Sequence, residues 1–120
     1  MEKLTQQEED IMLYFWKLGP SFIREVVDEI PEPKPPYTSV ASVVRNLEKK
    51  NYLKPFKLGN SIRYSPVVKE SEYKRYFLSG VVSNYFTGSY KEMVSFFVRD
   101  NKISKKDLKD LIDIIEEEES

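Results

Sequence analysis

Neither cysteine nor histidine occurs among the 120 residues. Their absence removes disulfide frameworks, thiolate zinc sites, Ser-His and Cys-His nucleophile pairs, and the side chain most used as a general base near neutral pH. No apolar run approaches the ~20 residues that a bilayer span needs. The first ten residues, MEKLTQQEED, are charged rather than apolar. A cytoplasmic protein without membrane insertion is expected. The carboxylates fall on amphipathic helix surfaces or in the Glu116 to Glu119 run and form no recognisable catalytic pair or metal cluster. The expectation is therefore a protein that is not an enzyme and carries no cofactor or metal.

What is present is a large aromatic set, 7 Phe, 8 Tyr and 1 Trp, within 40% hydrophobic residues. That is enough to build a core. The net charge is only -1, which by itself argues against a nucleic-acid partner, but the charges are unevenly spread. Residues 1–32 carry -5, residues 33–66 carry +6, residues 67–103 carry +2 and residues 104–120 carry -4. A basic middle is flanked by acidic ends.

Thr5 and Glu8 have capping-box spacing, and Ile11, Met12, Phe15, Trp16 and Leu18 recur at helical intervals, which predicts a helix over 5–18 stopped by Gly19 and Pro20. Ser21 is placed to cap a second helix with Ile23, Val26, Val27 and Ile30 as its buried stripe. Four prolines between Pro31 and Pro36 form a stiff connector. A third helix, capped by Thr38 or Ser39, buries Val40, Val43, Val44 and Leu47 and turns Ser39, Ser42, Arg45, Asn46 and Lys49 the other way. Residues 52–57 and 61–67 read as a hairpin around Leu58-Gly59-Asn60, with Pro55 marking a bulge or an edge. Three more helices follow: 69–86, interrupted at Ser79-Gly80, then 90–99, then 105–118 started by Ser104-x-x-Asp107.

The order helix, helix, helix, hairpin predicts a mainly α fold with a small β-hairpin, a winged helix-turn-helix over residues 1–67 followed by a helical dimerisation region over 68–120. In such a fold the third helix enters the DNA major groove, and the +6 charge falls on that helix and the wing. Small polar side chains at Ser39, Ser42 and Asn46 permit close approach to base edges, and Thr38 is a further candidate for DNA binding. Arg45 is long enough for a guanine or a phosphate, and Lys49, Lys54, Lys57 and Arg63 suit phosphates. Taken singly, Ser39 or Ser42 reads equally well as a cap or a solvated residue; the joint placement carries the inference. In the last 50 or so residues the apolar groups cannot close a core of their own. Tyr76, Phe77, Val81, Tyr85, Phe97, Leu108, Leu111, Ile112 and Ile115 are the candidates for burial against a second copy, the alternative being that these helices fold back on the winged domain.

Three stretches carry a family resemblance: LTQQEEDIMLYFWKLGP, YTSVASVVRNLEKKNYL and the wing LGNSIRYSP. With Leu4, Thr5, Glu9, Ile11, Met12, Trp16, Gly19, Pro20, Ser39, Val40, Ser42, Leu47, Lys49, Lys50, Gly59, Arg63, Tyr64 and Pro66 in matching places, the chain resembles the penicillinase repressors of the BlaI/MecI type over nearly its whole length. It departs from them at Ser39 and Ser42, where threonines are common, at Asn51, where a glycine follows Lys-Lys, and at Asn60, where a basic residue follows the wing glycine. The resemblance implies a homodimeric repressor that binds a two-fold symmetric, double-stranded DNA operator. It also implies a sensor protease as partner, which relieves repression in those proteins by cutting an Asn-Phe bond in the penultimate helix. Phe96-Phe97 stands at that place without the asparagine, and the paired cysteines of copper-responsive relatives are absent. The competing reading is a winged-helix protein-interaction module that has lost DNA binding, favoured by the low total charge and by Asn60.

Overall fold

Thr5 opens the first helix as its spacing requires. Its Oγ1 accepts the Glu8 amide at 3.2 Å and the Glu8 carboxylate accepts the Thr5 amide at 2.8 Å. The computed structural model describes residues 1–119. Along it run α1 (Gln6–Leu18), β1 (Ser21–Phe22), α2 (Ile23–Glu29), α3 (Tyr37–Lys49), β2 (Leu53–Leu58), β3 (Ser61–Pro66), α4 (Glu70–Tyr85), α5 (Tyr90–Arg99) and α6 (Lys105–Glu119). Two compact units form, Met1–Phe77 and Leu78–Ser120.

In the first unit, α1, α2 and α3 pack around Met12, Phe15, Val26, Val44, Leu47 and Tyr52, all fully buried. A three-stranded antiparallel sheet of order β1-β3-β2 closes the core. Ile11, Met12 and Phe15 of α1 and Val40, Val44 and Leu47 of α3 are buried as their spacing predicts, whereas Leu18 is exposed, Val43 is half-buried, and Ala41 is buried although the stripe does not include it. The hairpin acquires a third strand because Ser21 and Phe22 pair with Tyr64 and Arg63. That pairing corrects the start of α2. Ser21 is a buried strand residue whose hydroxyl donates to the Gly19 carbonyl at 2.9 Å, and the helix begins two residues later with the Glu25 carboxylate accepting the Phe22 amide.

A second correction concerns α3, which neither Thr38 nor Ser39 caps. Pro36 is the N-cap, and its carbonyl accepts the Ser39 and Val40 amides at 3.0 and 3.3 Å. Proline fixes φ and lacks an amide that would need a partner, so the helix starts directly off the connector. Of the two readings for Pro55, the edge position holds: β2 is the outer strand, and its register with β3 runs unbroken from Leu53↔Pro66 to Leu58↔Ser61. Gly59 takes φ 61° in the two-residue turn between them, which is the backbone region that glycine enters without steric cost.

The first unit extends past the hairpin into α4. Tyr73 is buried against Trp16, ring centroids 5.4 Å apart, and its hydroxyl donates to Glu9 at 2.6 Å. Trp16 in turn donates to the Val68 carbonyl at 2.9 Å. Burial, reinforced by the Glu9 carboxylate, pushes the Tyr73 phenol well above its ordinary range, and burial is the largest cause of the rise of Tyr52 to about 12, with Tyr76, Glu2 and Glu8 adding to it.

The second unit holds the end of α4 together with α5 and α6. The helix α4 runs unbroken through Ser79-Gly80, where an interruption is expected from the sequence. Ser89 caps α5, and Ser104 and Asp107 exchange hydrogen bonds of 2.9 and 3.0 Å at the start of α6, as their spacing predicts. Val82 is this unit's one buried side chain among the described residues, and α5 and α6 have none. Among the described residues no helix is long and apolar enough to cross a membrane.

Candidate nucleic-acid interface

The helix α3 buries Val40, Ala41, Val44 and Leu47, which forces Thr38, Ser39, Ser42, Arg45, Asn46 and Lys49 outward, and all six are exposed. Among the described residues, the side chains of these six make no hydrogen bond or ion pair within the chain, so their donors and acceptors are free for an external partner. Two grooves flank this face. Toward α1 lies an open groove of about 930 Å³ whose α3 wall includes Thr38, Ser39, Ser42 and Asn46. Toward the wing lies one of about 570 Å³, where Tyr37, Ala41 and Arg45 of α3 face Asn60, Ser61, Ile62 and Tyr64. Burial raises the Tyr64 phenol, Glu48 adds to the rise and Arg45 opposes it, so the Arg45 guanidinium acts electrostatically on the floor of this second groove.

The wing bases do not form one patch. Paired residues of an antiparallel ladder share a face, so Lys57 and Ile62 lie on the side of the sheet that also carries buried Leu53 and Tyr64. Lys54 and Arg63 lie on the opposite, outward side with Phe56. There the Lys54 ammonium sits 5.5 Å from the Phe56 ring centroid and the Arg63 Nε donates to the Pro20 carbonyl at 3.3 Å. The structure therefore brings Lys57 to the α3 side and sets Lys54 and Arg63 apart from it.

Two further bases of the +6 segment serve the fold. The Lys34 ammonium donates to the carbonyls of Val27, Asp28 and Ile30 at 3.0, 2.8 and 2.5 Å, closing the C-terminal end of α2. Lys50 lies 2.6 Å from the Glu8 carboxylate and 2.9 Å from the Lys3 carbonyl, tying the end of α3 to the start of α1. Of the seven bases in that stretch, Arg45, Lys49 and Lys57 remain on the α3 side without such duties. The sequence reading misses Arg24, whose guanidinium stacks over Tyr37 at 5.3 Å. Its exposed position beside the stripe of α2 was a signal, but its approach to α3 depends on how the two helices cross.

The candidate dimer contacts are also exposed or half-exposed. Tyr76 and Phe77 belong to the first unit, and Val81, Tyr85, Phe97, Leu108, Leu111, Ile112 and Ile115 to the second. Phe96 and Phe97 lie inside α5 with their rings 5.7 Å apart.

A model of the penicillinase repressor family matches residues 4–117. The chain belongs to the penicillinase repressor family. Among characterised penicillinase repressors it is 24% identical to that of Bacillus licheniformis, spanning 96% of this chain and 91% of that one. It is 25% identical to that of Staphylococcus aureus, spanning 94% and 90%. The solution structure of the DNA-binding domain of the repressor BlaI superposes with a TM-score of 0.52 at 26% identity, covering 61% of this chain and 94% of that one. An organohalide-sensing transcriptional regulator in its ligand-free form shares the fold, with a TM-score of 0.52 at 15% identity over 96% of this chain and 62% of its own. Penicillinase repressors are transcriptional regulators and not enzymes, and this member has the winged helix-turn-helix of the family, mainly α with a small antiparallel sheet.

Proposed function

We propose that the protein is a cytoplasmic transcriptional repressor that binds a two-fold symmetric DNA operator as a homodimer. The observation that carries this reading is the outer face of α3. Thr38, Ser39, Ser42, Arg45, Asn46 and Lys49 are exposed together, unengaged within the chain, on the helix that a winged helix-turn-helix directs into the major groove. Ser39, Ser42 and Asn46 are short enough to let the helix seat close to the base edges, while Arg45 and Lys49 reach guanine or phosphate. Lys57 at the wing adds a backbone contact from the same side. Lys54 and Arg63 contribute to the general field of the basic segment. Membership of the penicillinase repressor family supports the same assignment, and a sensor protease cutting within α5 is the relief step that the family suggests.

The test is selection of bound fragments from genomic DNA, followed by affinity measured across a salt series. Binding is expected to weaken steeply with salt, because log K falls by about 0.9 per log unit of salt for each neutralised phosphate. The double variant Arg45→Ala, Lys49→Ala is expected to lose selectivity for the recovered sequence. Failure to retain any duplex at low salt would reject the reading, as would undiminished operator binding by the double variant.

A further inference from the structure

Arg24 belongs to the stretch that carries a net -5, and Tyr37 opens α3 directly after the proline connector. In the folded chain they meet at the groove between α3 and the wing, where the Arg24 guanidinium carbon stands 5.3 Å from the Tyr37 ring centroid. Stacking engages the flat face of a guanidinium and leaves its N–H edge available. Among the described residues Arg24 makes no hydrogen bond or ion pair, and it is exposed. Arg45 lines the same groove from α3, and Asn60 and Ser61 line it from the wing. One carboxylate, Glu25, also lines it, and that group is engaged with the Phe22 amide at 2.9 Å.

We propose that Arg24 is a phosphate-binding residue and that the groove takes a phosphodiester of the DNA backbone between Arg24 and Arg45, with Tyr37 as the positioning residue that holds the Arg24 fork. The inference rests on the DNA-binding reading above and adds a contact from α2 to those of α3 and the wing. Two guanidinium groups lining one cleft suit a singly charged, multiply accepting group, since charge-assisted bonds from arginine to phosphate oxygens are directional as well as strong. The stack holds the side chain near its binding geometry, so less rotamer freedom is lost on contact.

The experiment compares wild type with Arg24→Ala, Arg24→Lys, Tyr37→Phe, Tyr37→Leu and Arg45→Ala, on duplexes recovered from genomic DNA by the wild-type protein and on a scrambled duplex of equal length. Arg24→Ala is expected to weaken both complexes alike, by about tenfold, and to lower the salt slope by about 0.9, as loss of one phosphate contact requires. Arg24→Lys keeps the slope but not the full affinity. Tyr37→Phe preserves the stack and binds as wild type, whereas Tyr37→Leu loses affinity at an unchanged slope. Arg24 is exposed, and the thermal midpoint of Arg24→Ala is expected to match wild type. Wild-type affinity and slope in Arg24→Ala, alongside weakened binding by Arg45→Ala, would overturn this proposal and leave the DNA-binding reading standing. Absence of duplex binding by the wild-type protein would overturn both.

Discussion

Asn51 sits just past the end of α3 with φ 64°, a left-handed conformation that costs most side chains about 1–2 kcal/mol and that asparagine tolerates best after glycine. Asparagine at this position is thus close to glycine in backbone terms. Asn51→Gly is expected to change stability by no more than a few tenths of a kcal/mol, and Asn51→Val to lower it by about 1–2 kcal/mol in urea unfolding. Glu8 has a larger part. Burial pushes its carboxyl up, but hydrogen bonds from Lys50 and the Thr5 amide, together with the Lys50 charge, outweigh burial and hold it below the ordinary 4.5. A carboxyl depressed on folding adds stability that is complete above its unfolded pKa and is lost as pH falls through its folded pKa. Stability is therefore expected to decline on acidification below about pH 4.5, and Glu8→Gln to flatten that decline in unfolding curves taken at successive pH values. A Glu8→Gln profile as steep as wild type would show that other carboxylates carry the acid sensitivity.

At the scale of elements, periodicity disclosed what depends on one helix at a time. The central members of the α1, α2 and α3 stripes and the boxes at Thr5 and Ser104 lie where spacing places them, because each is fixed within a turn or two of its own residues, whereas Leu18, Ile30 and Val43 at the margins are not fully buried. What depends on a distant partner was hidden. Ser21 looks like a helix cap until Tyr64 pairs with it, and Lys34 and Lys50 look like surface bases until α2 carbonyls and Glu8 claim them. The division of the wing bases between two faces follows from a strand register that charge counting cannot see, and the Arg24–Tyr37 stack from a helix crossing. Ser79-Gly80 misleads for another reason: weak helix formers cost a fraction of a kcal/mol to about 1 kcal/mol each, which neighbouring turns of a 16-residue helix override. A Cβ at Gly80 would meet no atom within 4 Å. Gly80→Ala is accordingly expected to stabilise α4 by up to about 1 kcal/mol, seen as a higher thermal midpoint by circular dichroism.

At the scale of the whole molecule, the two units differ in how their apolar surface is used. The first buries a continuous core, whereas in the second Tyr85 is 77% exposed, Ile112 53% and Ile115 55%. Leu108, Leu111, Ile112 and Ile115 follow one stripe of α6 at helical spacing. Such a stripe facing water on a 14.2 kDa chain is the surface that a second copy would cover in a two-fold contact. Light scattering is expected to give about twice the chain mass, with a thermal midpoint that rises with concentration as dissociation is coupled to unfolding. Leu111→Asp with Ile115→Asp would place four charges in that contact and yield a monomer whose first unit still folds, since Phe15, Val44, Leu47 and Tyr52 all lie within residues 1–77. The same variant separates assembly from DNA contact. With the second half-site no longer tethered, operator affinity is expected to fall by a factor of about 10² or more, and the salt slope to about half because half the phosphates are engaged. A variant that stays dimeric would place the contact on other residues, and a monomer with wild-type operator affinity would show that one winged domain reads the site alone.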